Sequence, residues 1–99
     1  MSYRFHPAAE AEHLEQVEFY ESRERGLGAR YRAHFLNAMQ GICEAPARNP
    51  IERAPDIRRR VLRAFPLTVI YREHQGEVQI LAVAHYRRRP GYWLPREQG

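Results

Sequence analysis

Lysine is absent from the 99 residues, and all 16 basic side chains are arginine. So complete a replacement reads as the compositional mark of a GC-rich genome, which discounts a mere abundance of arginine. Cysteine is nearly absent as well: Cys43 stands alone, which excludes an internal disulfide. No stretch approaches the ~20 apolar residues of a membrane span. The opening Met-Ser-Tyr-Arg-Phe-His-Pro lacks the apolar run of a secretory leader. A soluble, cytoplasmic protein is expected.

Several chemistries are missing too. His6, His13, His34, His74 and His85 are scattered, with neither an HxxxH pair nor a CxxC, so no metal site is expected. Gly26 and Gly28 fall between two helical patterns rather than between a strand and a helix, which excludes a phosphate loop. Cys43 borders an apolar helical stripe, where a small buried thiol is the ordinary occupant. Glu10, Glu12, Glu15, Glu18, Glu21 and Glu24 read as the solvent side of one helix, with no apolar surroundings to raise a carboxyl pKa. No cofactor is implied.

What is present is one domain's worth of pattern, residues 1–99. Tyr3-Arg4-Phe5 reads as a short strand and Pro7 as a helix start. Leu14, Val17 and Tyr20 mark the apolar side of a helix over 8–24. Gly26 supplies a left-handed helix end. Tyr31, Phe35, Ala38, Met39 and Ile42 line one side of a second helix over 27–44. Pro46, Pro50 and Pro55 make residues 45–56 a loop. Strands are expected over 57–64, 67–73 and 78–85, the last almost wholly apolar and so buried on both faces. Residues 86–99 read as an extended C-terminal tail. The expected fold class is α+β, in the order β-α-α-β-β-β, a helical hairpin packed on one face of a small antiparallel sheet.

Charge is divided unevenly. Residues 1–50 carry 6 arginines against 7 acids, and residues 51–99 carry 10 against 5. The second half therefore presents a positive field suited to an acidic partner or nucleic acid. Its candidates are Arg58, Arg59, Arg60 and Arg63 on one strand, Arg72 on the next, and His85 through Trp93 at the end. If adjacent strands bring them to one sheet edge, the arginine forks with Tyr86, Tyr92 and Trp93 suit phosphate or carboxylate groups. Three uses stay open. The patch can stabilise a transferring phosphoryl group with His85 as proton carrier, or dock an acidic protein or a DNA-bound target. Alternatively, Tyr92 and Trp93 pack back over the core and the arginines only solubilise.

The ordered runs Asp56-Ile57-Arg58-Arg59, Arg63-Ala64-Phe65-Pro66-Leu67-Thr68-Val69-Ile70-Tyr71, Ile80-Leu81-Ala82-Val83-Ala84-His85 and Arg89-Pro90-Gly91-Tyr92-Trp93 resemble the RelE/ParE toxin superfamily, over residues 2–96. The resemblance implies the toxin of a type II toxin-antitoxin system, neutralised by a cognate antitoxin, a short acidic DNA-binding protein. It also implies one of two targets. RelE-like members cleave mRNA on the ribosome, and ParE-like members poison DNA gyrase. The nuclease branch carries an essential arginine about three residues before the tyrosine of the middle strand. Counted back from Tyr71, that slot holds Thr68. A nuclease here would need Arg72 as a substitute, with His85, Arg88 and Tyr92. The preferred expectation is a ParE-like toxin with no active site, whose target- or antitoxin-binding residues are Arg58, Arg60, Arg63, Arg87, Arg89, Tyr92 and Trp93. A family member that has lost toxicity and only binds its antitoxin is the third possibility.

Overall fold

The computed structural model describes residues 1–98. Strand β1 (Tyr3–Phe5) leads into helix α1 (Pro7–Arg23), which turns into α2 (Leu27–Glu44). Strands β2 (Ile51–Arg53), β3 (Ile57–Leu62), β4 (Leu67–His74) and β5 (Glu77–His85) follow, and the chain ends in a 3-10 turn over Leu94–Gln98. The α+β class and the helical hairpin are as the sequence pattern predicts. Two corrections concern the sheet. It has five strands in the order β1-β5-β4-β3-β2, because Ile51–Arg53, expected as loop, pairs with β3. It is also mixed, since β1 runs parallel to β5.

Local chemistry sets the helices. The His6 imidazole accepts the Ala8 amide at 3.1 Å, and Pro7 occupies the first turn, where no backbone donor is missed. Gly26 takes φ +86°, the left-handed value expected of it. The Glu21 carboxylate accepts the amides of Gly26 and Gly28, two orphan donors at the start of α2. Gly28 also lets the helices touch, because a Cβ there would meet the Val17 carbonyl at 2.6 Å.

The second helix buries the predicted stripe of Tyr31, Phe35, Ala38, Met39 and Ile42. The first is rotated from its predicted phase. Leu14 is 55% exposed and Phe19 46%, whereas Ala9, His13 and Tyr20 are buried. His13 holds the inward position because its Nδ1 shares a 2.8 Å hydrogen bond with the Tyr31 hydroxyl and its ring lies 4.2 Å from that of Phe35. A satisfied imidazole thus does what the apolar spacing assigned to leucine.

The helices cover one face of the sheet, meeting Leu62, Leu67, Val69, Tyr71, Val78, Ile80 and Val83. The register shifts at β5, where Ile70 faces Ala82 and Tyr71 faces Ile80. Leu81 is the extra residue of that bulge, so Leu81 and Ala82 both join a second cluster with Ile57, Ile70 and Trp93. Strand β5 is therefore buried on both faces, as expected, although β4 holds the centre of the sheet. The segment after His85 is not an extended tail. It turns back across the second face, and Trp93 is 3% exposed. Among the described residues no helix is long and apolar enough to cross a membrane.

Candidate binding surface

The pleat of β3 divides its arginines. Arg58 faces Tyr71 and Arg60 faces Val69, so both point to the helical side. Arg59 and Val61 alternate onto the other side. The two helical-side arginines differ in what they touch. Arg58 Nη1 donates to the Asn49 carbonyl at 2.7 Å. The Arg60 guanidinium lies against Gly41, where a Cβ would come within 3.0 Å of Nη1. The Tyr71 hydroxyl donates to the Pro46 carbonyl at 2.6 Å and accepts from Asn49 Nδ2, fixing the loop beside them. Burial pushes the Tyr71 phenol up, while Asn49, Arg58 and Arg60 oppose the rise. Arg63 stands exposed just past the strand.

Arg59, Arg60 and Arg63 border a groove of about 540 Å³ between α2 and β3, which His34, Asn37 and Asn49 also line, whereas Arg58 and Tyr71 lie outside it. The three polar lining residues carry no sequence signature. Only the crossing of α2 over β3 brings them beside the arginines.

Arg72 lies elsewhere. It projects from the opposite face, where Nε donates to Gln79 Oε1 at 2.9 Å and Nη2 to the Glu97 carbonyl at 2.7 Å. It pairs in register with Gln79, six residues of strand from His85, or about 20 Å. Arg72 therefore lies four residues along the strand from Thr68, which pairs with Ala84 beside His85. His85 Nδ1 accepts the Arg87 amide at 3.1 Å, and its ring stacks on Tyr86 at 4.7 Å. Tyr86 is 67% exposed, with the Arg87 guanidinium 5.5 Å from its ring. Arg88 and Arg89 are exposed, and Arg88 lies 3.9 Å over the Tyr92 ring.

Tyr92 and Trp93 are not the free anchors expected. Trp93 fills the second cluster, with Tyr92 and Leu94 beside it, on the face of the sheet that the helices leave uncovered. The Tyr92 hydroxyl donates to Glu12 Oε2 at 2.8 Å. Burial and that carboxylate hold the phenol well above its usual range, so it stays protonated. Glu12 also departs from its expected place on the solvent side. It accepts the Val83 amide at 3.0 Å and a fork of two bonds from Arg96, at 2.9 and 3.0 Å. Arg96 Nη1 donates onward to the Leu81 carbonyl at 3.0 Å. The pair is largely buried, at 13% and 16% side-chain exposure. Strand β1 reaches only to Ile80 along β5, so Glu12 and Arg96 satisfy backbone groups that β1 leaves behind. Nothing in the spacing of the six glutamates singled out Glu12, whose partner is 84 residues away.

The sequence as a whole adds a finding that the geometry alone does not. A family model described as the ParE toxin of a type II toxin-antitoxin system, parDE, matches residues 3–90. No curated protein matches the chain.

Proposed function

We propose, for a chain that belongs to the ParE toxin family of type II toxin-antitoxin systems, a toxin that acts by binding DNA gyrase and has no active site of its own. The family carries with it a cognate antitoxin, read here as a short acidic DNA-binding protein that neutralises the toxin.

One observation supports the non-enzymatic reading above the others. Of the four side chains a ribonuclease would need, Arg72 stands apart, while Arg88 lies over the Tyr92 ring and lines one cavity with His85. Arg72 is about 20 Å from His85 along the sheet and bonded to Gln79 and Glu97. Tyr92 is bonded to Glu12, and His85 accepts from the Arg87 backbone. A general acid and base must reach the reacting atoms within about 3 Å, and Arg72 lies too far off to share a point with the other three. Half-buried His85 with exposed Tyr86, Arg87, Arg88 and Arg89 instead forms a stacked cationic and aromatic surface. Guanidinium forks there suit carboxylates or phosphates of a large target.

The test is expression of the chain without its antitoxin. Gyrase-directed action stops DNA replication first, produces DNA breaks, and leaves ribosome-bound mRNA intact. His85→Gln stays toxic and folded. Codon-specific mRNA cleavage that disappears in the His85 variant would replace this reading with a ribosome-dependent nuclease. Growth that continues unharmed, with the antitoxin still bound, would identify a member that has lost toxicity.

A further inference from the structure

Strand β1 follows β5 only to Ile80. Beyond that point a cavity of about 320 Å³ opens between β5 and α1, and Glu12, Glu15, Phe19, Val83, His85 and Arg88 help to line it. Its size falls at the lower end of the range for small-molecule sites. The backbone along this edge is only partly used. The Val83 amide points away from β4 to Glu12, and the Tyr86 amide returns toward β4 at the Pro66 carbonyl. Strand groups alternate in direction, so the Val83 C=O and the His85 N–H also point away from β4. Among the described residues no strand lies there to receive them.

Two charges are also left over. Glu15 comes from α1 and Arg88 from the C-terminal segment, and both are exposed. Among the described residues neither forms an ion pair, with the other or with any third group. Arg88 covers the Tyr92 ring and touches no carboxylate. Glu12, by contrast, already accepts from four donors. Phe19, 46% exposed, adds an apolar wall.

We infer that this cavity binds a free α-amino acid with an apolar side chain. The ammonium group meets Glu15 and the Val83 carbonyl, and the carboxylate meets Arg88 and the His85 amide. The side chain then lies against Phe19. A ligand with a single charge leaves either Glu15 or Arg88 unmatched. A docked strand would need the Val83 amide, which Glu12 already holds. The inference stands apart from the gyrase reading, and its failure leaves that reading intact.

The probe is L-phenylalanine, added to the full chain and followed by the shifts of its backbone amides in nuclear magnetic resonance spectra. Saturable shifts at His85 and its neighbours are the expected result. Phenylalaninamide lacks the carboxylate and N-acetylphenylalanine lacks the ammonium. Each should bind at least about tenfold more weakly. Glu15→Gln and Arg88→Gln should weaken phenylalanine binding to a similar degree. Both variants should melt near the parent, because both side chains are exposed.

Should a variant fail to fold, phenylalanine and its two analogues decide on the unaltered chain alone. Shifts that stay linear beyond about 10 mM phenylalanine overturn the inference. So does binding that either folded variant retains. An analogue that binds within about tenfold of phenylalanine overturns it as well. N-acetylphenylalanine would then assign the cavity to the C-terminus of a peptide chain, and phenylalaninamide to an N-terminus.

Discussion

Replacing Glu12 with alanine tests the anchor of the C-terminal segment. The substitution removes the acceptor of four hydrogen bonds, from Val83, Tyr92 and both forks of Arg96. Breaking one partner of a buried ion pair costs about 3–5 kcal/mol. The 13% and 16% exposure of the two side chains lets water in and favours the low end. The Val83 amide left without an acceptor adds to the loss, though not independently, since the same water can reach it. A net destabilisation of about 3 kcal/mol follows. For a domain of this size that lowers the melting temperature by roughly 12–24 °C. Glu12→Gln keeps an acceptor for Val83 while removing the charge, and should fall between parent and alanine. Calorimetry on both variants and on Arg96→Leu, with the double variant, gives the coupling directly. If Glu12→Ala melts within about 4 °C of the parent, or the cycle shows no coupling, the segment is not held as described.

Phe35→Ala removes a ring that is 1% exposed and stacked near Phe5 and His13, and should cost about 3–5 kcal/mol by denaturant titration. Trp93→Ala should cost a similar amount, because the indole fills the second cluster. A melting curve unchanged by it would return Trp93 to the surface. Burial, aided by Arg32, lowers the His13 pKa below its usual 6.5. The unfolded chain therefore binds the proton more readily, so stability is complete above that pH and declines as the pH falls below it. His13→Gln should flatten that decline while keeping a partner for Tyr31, as urea titrations at pH 7.5, 6 and 5 would reveal.

The elements most legible in the sequence were those whose pattern is local. The stripe of α2 and the apolar run of β5 announce themselves, because side-chain periodicity is set by neighbours a few residues apart. The phase of α1 was not legible. Leu14 looks like core, and only Tyr31, from another helix, makes His13 the better occupant. The basic half was visible as charge, yet pleat and crossing decide what it does. They send Arg58 and Arg60 to one face and Arg72 to the other. Strand β2 hid among prolines because it is three residues long and buries none of them. Trp93 showed the opposite ambiguity, since a tryptophan near a chain end reads equally well as an anchor or as a cover for an apolar face.

The bonds that Glu12 and Arg96 make to the β5 backbone also bear on the order in which the molecule is assembled. Closing an 84-residue separation carries a large entropic cost, so this contact belongs among the late ones in folding. Until Arg96 has been synthesised, the Leu81 carbonyl lacks the guanidinium it later accepts from. A nascent chain therefore carries a raw strand edge, which invites pairing with other chains. Chains stopped after Trp93 should be less soluble than the full chain in a sedimentation assay. On the ribosome, the residues around Arg96 are the ones that close the β5 edge beyond the reach of β1.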